Sequence, residues 1–416
     1  MKALSLHSSD HLGVKPRPGL LDGLAKRIVL GQLRGLKNGT LFIRDGQQQQ
    51  VFGYDQPGQP LTATVTVNDP RFYADIAFGG SIGAGESWMH GCWDCDDLVS
   101  LVRLMVRNRD LLDGMEGGLA WLSRPLQKFF HWANRNTRQG AERNIAAHYD
   151  LGNDFFRLWL DASMMYSCAI FETEDATLGE AQQTRLERVC RRLELRPEDH
   201  LVEIGTGWGS LAIYAASHYC CRVTTTTISR QQYELARQRV RAAGLQDRVT
   251  LLLEDYRDLA GQYDKLVSLE MIEAIGCEQY DTYFAKCAQL LRPGGRMLIQ
   301  AITIEDERFE QYRKNVDFIQ RYIFPGSCLP SQKVMRETIA RVSDMTITSL
   351  EDIGLHYATT LNHWRRNFLQ QLDEVRALGY PEEFIRMWEF YLCYCEGGFL
   401  ERSIGDVLLV AERRSA

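Results

Sequence analysis

A strand-like run, HLVEIG, meets a helical run, GSLAIYAASHY, across three glycines at alternate positions, Gly205, Gly207 and Gly209. No other feature of the 416 residues restricts the fold as tightly. From about residue 184 the pattern keeps alternating. TRLERVCRRLEL reads as a helix, CRVTTTTI as a buried strand, and SRQQYELARQRVRAAG as a helix with Ser229 at its N-cap. VTLLLEDY, DKLVSLEM, the helix CEQYDTYFAKCAQLL and the strand GRMLIQAITI continue the series. Alternation of this kind predicts an α/β fold, a doubly wound and mostly parallel sheet with helices on both faces and ligands at the carboxyl ends of its strands.

The glycine turn indicates which ligand. Its spacing is G-x-G-x-G, and Ser210 stands where a dinucleotide fingerprint needs its last glycine. A preceding acid with this spacing is the pattern of a class I methyltransferase that uses S-adenosylmethionine. Glu203 is placed to orient the amino end of the methionine moiety, while Gly205, Gly207 and neighbouring Trp208 frame the turn. The second strand ends TTTTISRQQ, without the acid that commonly holds the ribose, which leaves Thr227 and Gln232 for that task. After the third strand, LEDYRD offers Asp255 and Tyr256 to the adenine, one as acceptor and one as a flat apolar face.

The length favours two domains. Residues 1–115 read as a small α+β domain: short strand-like runs from about 35 to 90, then the helical DDLVSLVRLMVRNRDLL. A linker at 116–143 places Arg124, Lys128, Arg135, Arg138 and Arg143 among Trp121, Phe129, Phe130 and Trp132. Such interleaving suits an anionic membrane surface, and equally a helix packed on a neighbouring domain. Residues 144–416 form the methyltransferase domain. The balance of 48 basic against 54 acidic side chains, net charge −6, disfavours a nucleic-acid binder. Eleven cysteines without a regular framework suggest reduced thiols. With no signal-type segment and no run near the roughly 18 apolar residues of a spanning helix, the expectation is a cytoplasmic protein meeting the membrane peripherally at its inner face. Cys92 and Cys95 in CWDC lack a second pair at zinc spacing and read as packing, so no metal is expected.

The longer motifs NIAAHYDLGNDFFRLWLDASMMYSCAIF, LVEIGTGWGSLA, EMIEAIG, YDTYFAKCAQLLRPGGRMLIQAI, RYIFPGSCLPS and YCEGGFLERSIGDVLLV resemble, in order over roughly 144–410, the cyclopropane fatty acid synthases. That resemblance implies methylation of a cis double bond in an unsaturated phospholipid acyl chain, followed by closure of a three-membered ring with bound bicarbonate as base. It places Cys168, Glu273, Ile302 and Tyr357 around the anion, with Gln300 at a position usually held by histidine, and assigns Tyr166 and Ser167 to the cofactor. Cys168 is then a neutral anion-site residue whose thiol must stay protonated, since a thiolate would be methylated. Residues 305–365 would cover the acyl site, with Phe171, Tyr322 and Phe399 as candidate tunnel residues.

The chain departs from the family at four places. Gln300 and Ala274 replace histidines, Glu270 stands where a glycine is usual, and Thr206 where a cysteine is usual. Gln300 can donate and accept hydrogen bonds but cannot relay a proton at neutral pH. A methyl- or methylene-branched product, or a small soluble acceptor, therefore stays open beside ring formation, and so does a homodimer.

Overall fold

The computed structural model describes residues 20–55, 58, 60–111 and 151–415. The basic aromatic linker at 116–143 lies outside the described residues, as do the domain boundaries on either side of it.

The amino-terminal unit holds a four-stranded sheet of β1 (Gly39–Asp45), β2 (Gln48–Tyr54), β3 (Thr62–Val67) and β4 (Trp93–Cys95), in the order β2-β1-β3-β4. Helices Leu20–Leu33, Arg71–Met89 and Leu98–Arg107 accompany it. The strand-like reading of 35–90 fails at Arg71–Met89, which is helical apart from a break at Gly80 with φ 57°. Its glycines look like turn signals. Gly83 and Gly85 are instead places of close approach, where a Cβ would stand 2.0 Å from the Asp75 carbonyl oxygen and 2.4 Å from the Phe318 ring.

The larger unit is a seven-stranded sheet in the order β10-β11-β9-β8-β5-β6-β7. Its strands are β5 (His200–Ile204), β6 (Arg222–Thr227), β7 (Val249–Leu253), β8 (Tyr263–Leu269), β9 (Leu291–Ile304), β10 (Met345–Asp352) and β11 (Ile404–Arg413). β5 to β9 are parallel, whereas β11, next to the edge strand β10, pairs antiparallel with both β9 and β10. This is the class I methyltransferase arrangement. Ser229 caps helix Arg230–Ala242 as expected, its Oγ accepting from the Gln232 amide at 3.3 Å. The threonines of β6 are buried without loss because their hydroxyls find partners: Thr225 donates to Glu203, and Thr226 to the Glu254 carbonyl.

One continuous apolar cluster runs from Trp88 and Leu104 of the amino-terminal unit to Phe155, Trp159 and Trp388 of the larger one. Helix Glu382–Leu400 carries this junction. Gly397 allows Val102 to approach so closely that a Cβ would stand 2.6 Å from its Cγ1. Glu401 pairs with Arg103 at 2.7 Å and Arg107 at 2.9 Å, and the Arg386 guanidinium lies over the Trp88 ring at 4.0 Å.

Candidate active site

A cavity of about 590 Å³ opens at the carboxyl ends of β5, β6 and β8. One end is built from the glycine turn. Gly205, Gly207 and Gly209 have φ of 101°, 53° and 88°, and the turn is pinned by the Gly205 and Thr206 amides donating to the Thr226 carbonyl at 3.1 and 3.0 Å. A Cβ on Gly207 would meet nothing within 4 Å, so the backbone there faces open space. Every residue expected on the cofactor side lines the cavity: Tyr166, Ser167, Glu203 and Trp208, with Thr227, Gln232, Asp255 and Tyr256 on the adjoining strand ends.

Their local bonds are specific. Glu203 accepts from the Thr225 hydroxyl at 2.6 Å, and Thr206, the replacement for a usual cysteine, extends that chain by bonding Thr225 at 2.7 Å. Burial pushes the Glu203 carboxyl up to about 8, with the Thr225 hydroxyl and the Arg185 charge opposing the rise. Thr227 donates to Gln232 at 2.9 Å, and Arg257 grips Asp255 at 2.6 and 2.8 Å. Ser167 Oγ and the Tyr256 hydroxyl are buried and have no hydrogen-bond partner among the described residues. An acid, free hydroxyls, an aromatic face and open backbone suit a ligand with an ammonium, ribose hydroxyls and a flat base, which S-adenosylmethionine is.

The other end is apolar. Tyr357 stacks on Phe399 with centroids 4.5 Å apart, and Tyr391, Tyr394 and Phe324 join them in the wall. Helix Leu98–Arg107 of the amino-terminal unit contributes Leu101, Val102, Met105 and Val106. Of the candidate tunnel residues, Phe399 lines the cavity. Phe171 stacks on His363 instead, and the Tyr322 hydroxyl donates to Glu86 at 2.5 Å. Within the expected cover, residues between Arg308 and Leu329 line the cavity, as do Tyr357 and Leu361 of helix Gly354–Gln370, whereas helix Gln332–Val342 packs on helix Tyr280–Leu290.

Between the two ends lies a cluster of buried ionisable groups. Glu273, Ile302 and Tyr357 line the cavity as expected, while Cys168 and Gln300 stand behind Glu270. The Glu270 carboxylate gathers the donors expected for the anion. Cys168 N–H gives to its Oε1 at 2.8 Å, Gln300 Nε2 to the same oxygen at 2.6 Å, and the Tyr357 hydroxyl to Oε2 at 2.6 Å. The last donor, Ile302 N–H, is taken by Glu273 Oε1 at 2.5 Å. A bicarbonate ion needs these donors, and each is already engaged by a carboxylate of the chain itself. With these four donors engaged, the residues as placed do not fit bound bicarbonate.

The Cys168 thiol is fully buried and raised well above its ordinary range by burial, then by the charges of Asp406 and Glu270, so it stays protonated. Two members of the cluster are not anticipated in the sequence. Arg185 is fully buried and bonds Gln182 at 3.2 Å and Gln300 at 3.4 Å, and Asp406 accepts from Gln300 at 2.9 Å. The available signals were an acid interrupting the apolar run SIGDVLLV and an arginine within the helix TRLERVCRRLEL.

Residues 136–408 match the family described as mycolic acid cyclopropane synthetase. The tuberculostearic acid methyltransferase of Mycobacterium tuberculosis is 42% identical over 329 residues, 77% of this chain and 76% of that protein. The cyclopropane-fatty-acyl-phospholipid synthase of Escherichia coli K12 is 38% identical over 347 residues, 82% of this chain and 86% of that protein. A crystal structure of a mycolic acid cyclopropane synthase complexed with SAH and CTAB superposes with a TM-score of 0.62 at 31% identity, covering 65% of this chain and 98% of that one.

Proposed function

The chain belongs to the mycolic acid cyclopropane synthetase family, as an S-adenosylmethionine-dependent lipid methyltransferase, and on that premise we propose that it methylates the cis double bond of an unsaturated phospholipid acyl chain and closes a cyclopropane ring. The observation that carries this reading is the single cavity joining a glycine turn to an aromatic, apolar arm. When bound, S-adenosylmethionine supplies an electrophilic methyl to the alkene.

The protein's share of the work follows from its residues. Glu203 holds the ammonium of the donor, Thr227 and Gln232 its ribose, and Asp255 and Tyr256 its adenine. Tyr166, Ser167 and Trp208 complete that wall. An alkene is a weak nucleophile, so alignment in a dry site supplies much of the acceleration. The Tyr357, Phe399 and Tyr391 rings stabilise positive charge developing on the acyl chain. Cys395, the thiol on the cavity wall, is raised far above its ordinary range by burial and stays neutral, so it does not trap the cation. The amino-terminal unit presents the lipid at the anionic inner face of the membrane. Phospholipid is the partner this requires.

One observation favours a second outcome, a methyl- or methylene-branched chain: the Glu270 and Gln300 arrangement differs from the family pattern at the point where the proton leaves. The test is product analysis after incubating the purified protein with S-adenosylmethionine and vesicles of cis-unsaturated phospholipid. Upfield cyclopropyl protons in the NMR spectrum, with a mass gain of one methylene, are expected. A branched or methylene signal would move the function to the second outcome, and no methylated lipid despite donor binding would point to a soluble acceptor.

A further inference from the structure

We propose that the Glu270 carboxylate takes the place of an external carbonate-type anion and itself removes the proton from the methylated acyl chain. The inference rests on the lipid-methylation reading and specifies its base.

Three observations converge. The donors supplied by Cys168, Gln300 and Tyr357 hold one carboxylate rigidly at the cavity wall. Oε1 accepts from Cys168 N–H and Gln300 and Oε2 from Tyr357, so Oε2 is the less engaged of the two oxygens, with the Asp406 carboxyl also interacting with this carboxylate. Secondly, the backbone favours a different residue. Glu270 has φ 48°, a left-handed conformation that glycine adopts freely and a glutamate adopts at a cost, so the side chain is kept there against local preference. Thirdly, Glu270 lines the same cavity as the glycine turn, and the next residue, Met271, places its Cγ 3.3 Å from where a Gly205 Cβ would be.

The charges around Glu270 agree with this role. Arg185 is the cation among the described groups of the cluster. Burial and then the Glu270 charge raise Asp406 well above its ordinary range, with the Gln300 hydrogen bond opposing the rise. Burial also raises Glu270, opposed by Tyr357, Cys168 N–H and Arg185, making an ionised carboxylate that is a stronger base than one in water. In the step itself a C–H bond of the cationic chain breaks and the proton goes to Oε2. The electron pair forms the third carbon–carbon bond of the ring. Cation plus carboxylate become neutral ring plus carboxylic acid, with no other reactant, and the acid then loses its proton to water.

The experiment compares turnover in buffer stripped of carbon dioxide with turnover after bicarbonate is added, and follows bicarbonate binding by carbon-13 NMR. For the unmodified protein we expect the same rate in both buffers and no bound bicarbonate. Glu270→Gln keeps the size and most hydrogen bonds and should lower kcat about 10²-fold while leaving S-adenosylmethionine affinity, read by calorimetry, unchanged. Glu270→Gly frees the donors and relaxes the backbone, and should gain both a bicarbonate signal and bicarbonate-dependent turnover. A rate that rises with bicarbonate in the unmodified protein, or Glu270→Gln turning over at the unmodified rate, would overturn the proposal. If the unmodified protein methylates no lipid, the functional reading fails. The carbon-13 signal still decides the seat, because bicarbonate bound with Glu270 present, or absent from the glycine variant, refutes it.

Discussion

A buried acid binds a cation well only once it has lost its proton, which makes Glu203 a pH-dependent ligand. Its carboxyl is pushed up to about 8 by burial, so below that pH the folded protein holds it mostly protonated. Binding of the donor's ammonium then has to expel the proton. Affinity for S-adenosylmethionine should rise as pH increases through about 8 and level off above it, and calorimetry in buffers of differing ionisation heat should show proton release. Stability has the opposite dependence. Because the folded state binds these protons more tightly than the unfolded chain, Glu203 and Glu273, both raised to about 8, favour folding below the ordinary carboxylate range, and that contribution is lost as pH rises toward 8. The melting temperature of the ligand-free protein should therefore fall over that window. Affinity that is flat across it would remove Glu203 from the ammonium site. Glu203 was legible because its strand and turn lie beside it in sequence. The partners of Glu270 were not, since Cys168 and Tyr357 are separated from it by 102 and 87 residues, and no local pattern records such a meeting.

At the scale of elements, the glycine turn has no spare conformational room. Gly205 sits at φ 101°, and an added Cβ would press on Met271 at 3.3 Å, beside the base. Gly205→Ala should cost about 1–2 kcal/mol in backbone strain and weaken donor binding about tenfold or more. Gly244→Ala, at φ 68° but with open space around its Cβ, should carry the strain cost in stability alone. Calorimetry on the two variants separates them, and equal loss of affinity in both would show that the turn is not the donor site. The parallel strands and their helices were readable because each obeys its own hydrophobic period. Helix Arg71–Met89 was not, because glycines that signal turns in isolation here permit close packing, Gly83 against the Asp75 backbone of its own helix and Gly85 against Phe318 of the larger unit, which wins over local propensity.

For the molecule as a whole, the amino-terminal unit forms part of the cavity wall. Helix Leu98–Arg107 places Leu101, Val102, Met105 and Val106 on the apolar arm, and Arg109 ties to Glu305 at 2.5 Å where the cover begins. This arm lies away from the glycine turn, so filling it should affect the acyl chain and not the donor. Val106→Trp adds bulk to the arm without touching Glu203 or the turn. Turnover on phospholipids with long acyl chains should drop by about an order of magnitude, short chains should be less affected, and donor affinity should stay unchanged. Rates on vesicles of graded chain length, read alongside calorimetry, test this. If the variant methylated every chain length as the unmodified protein does, the acyl group would have to lie elsewhere, and the contact between the two units would be structural only.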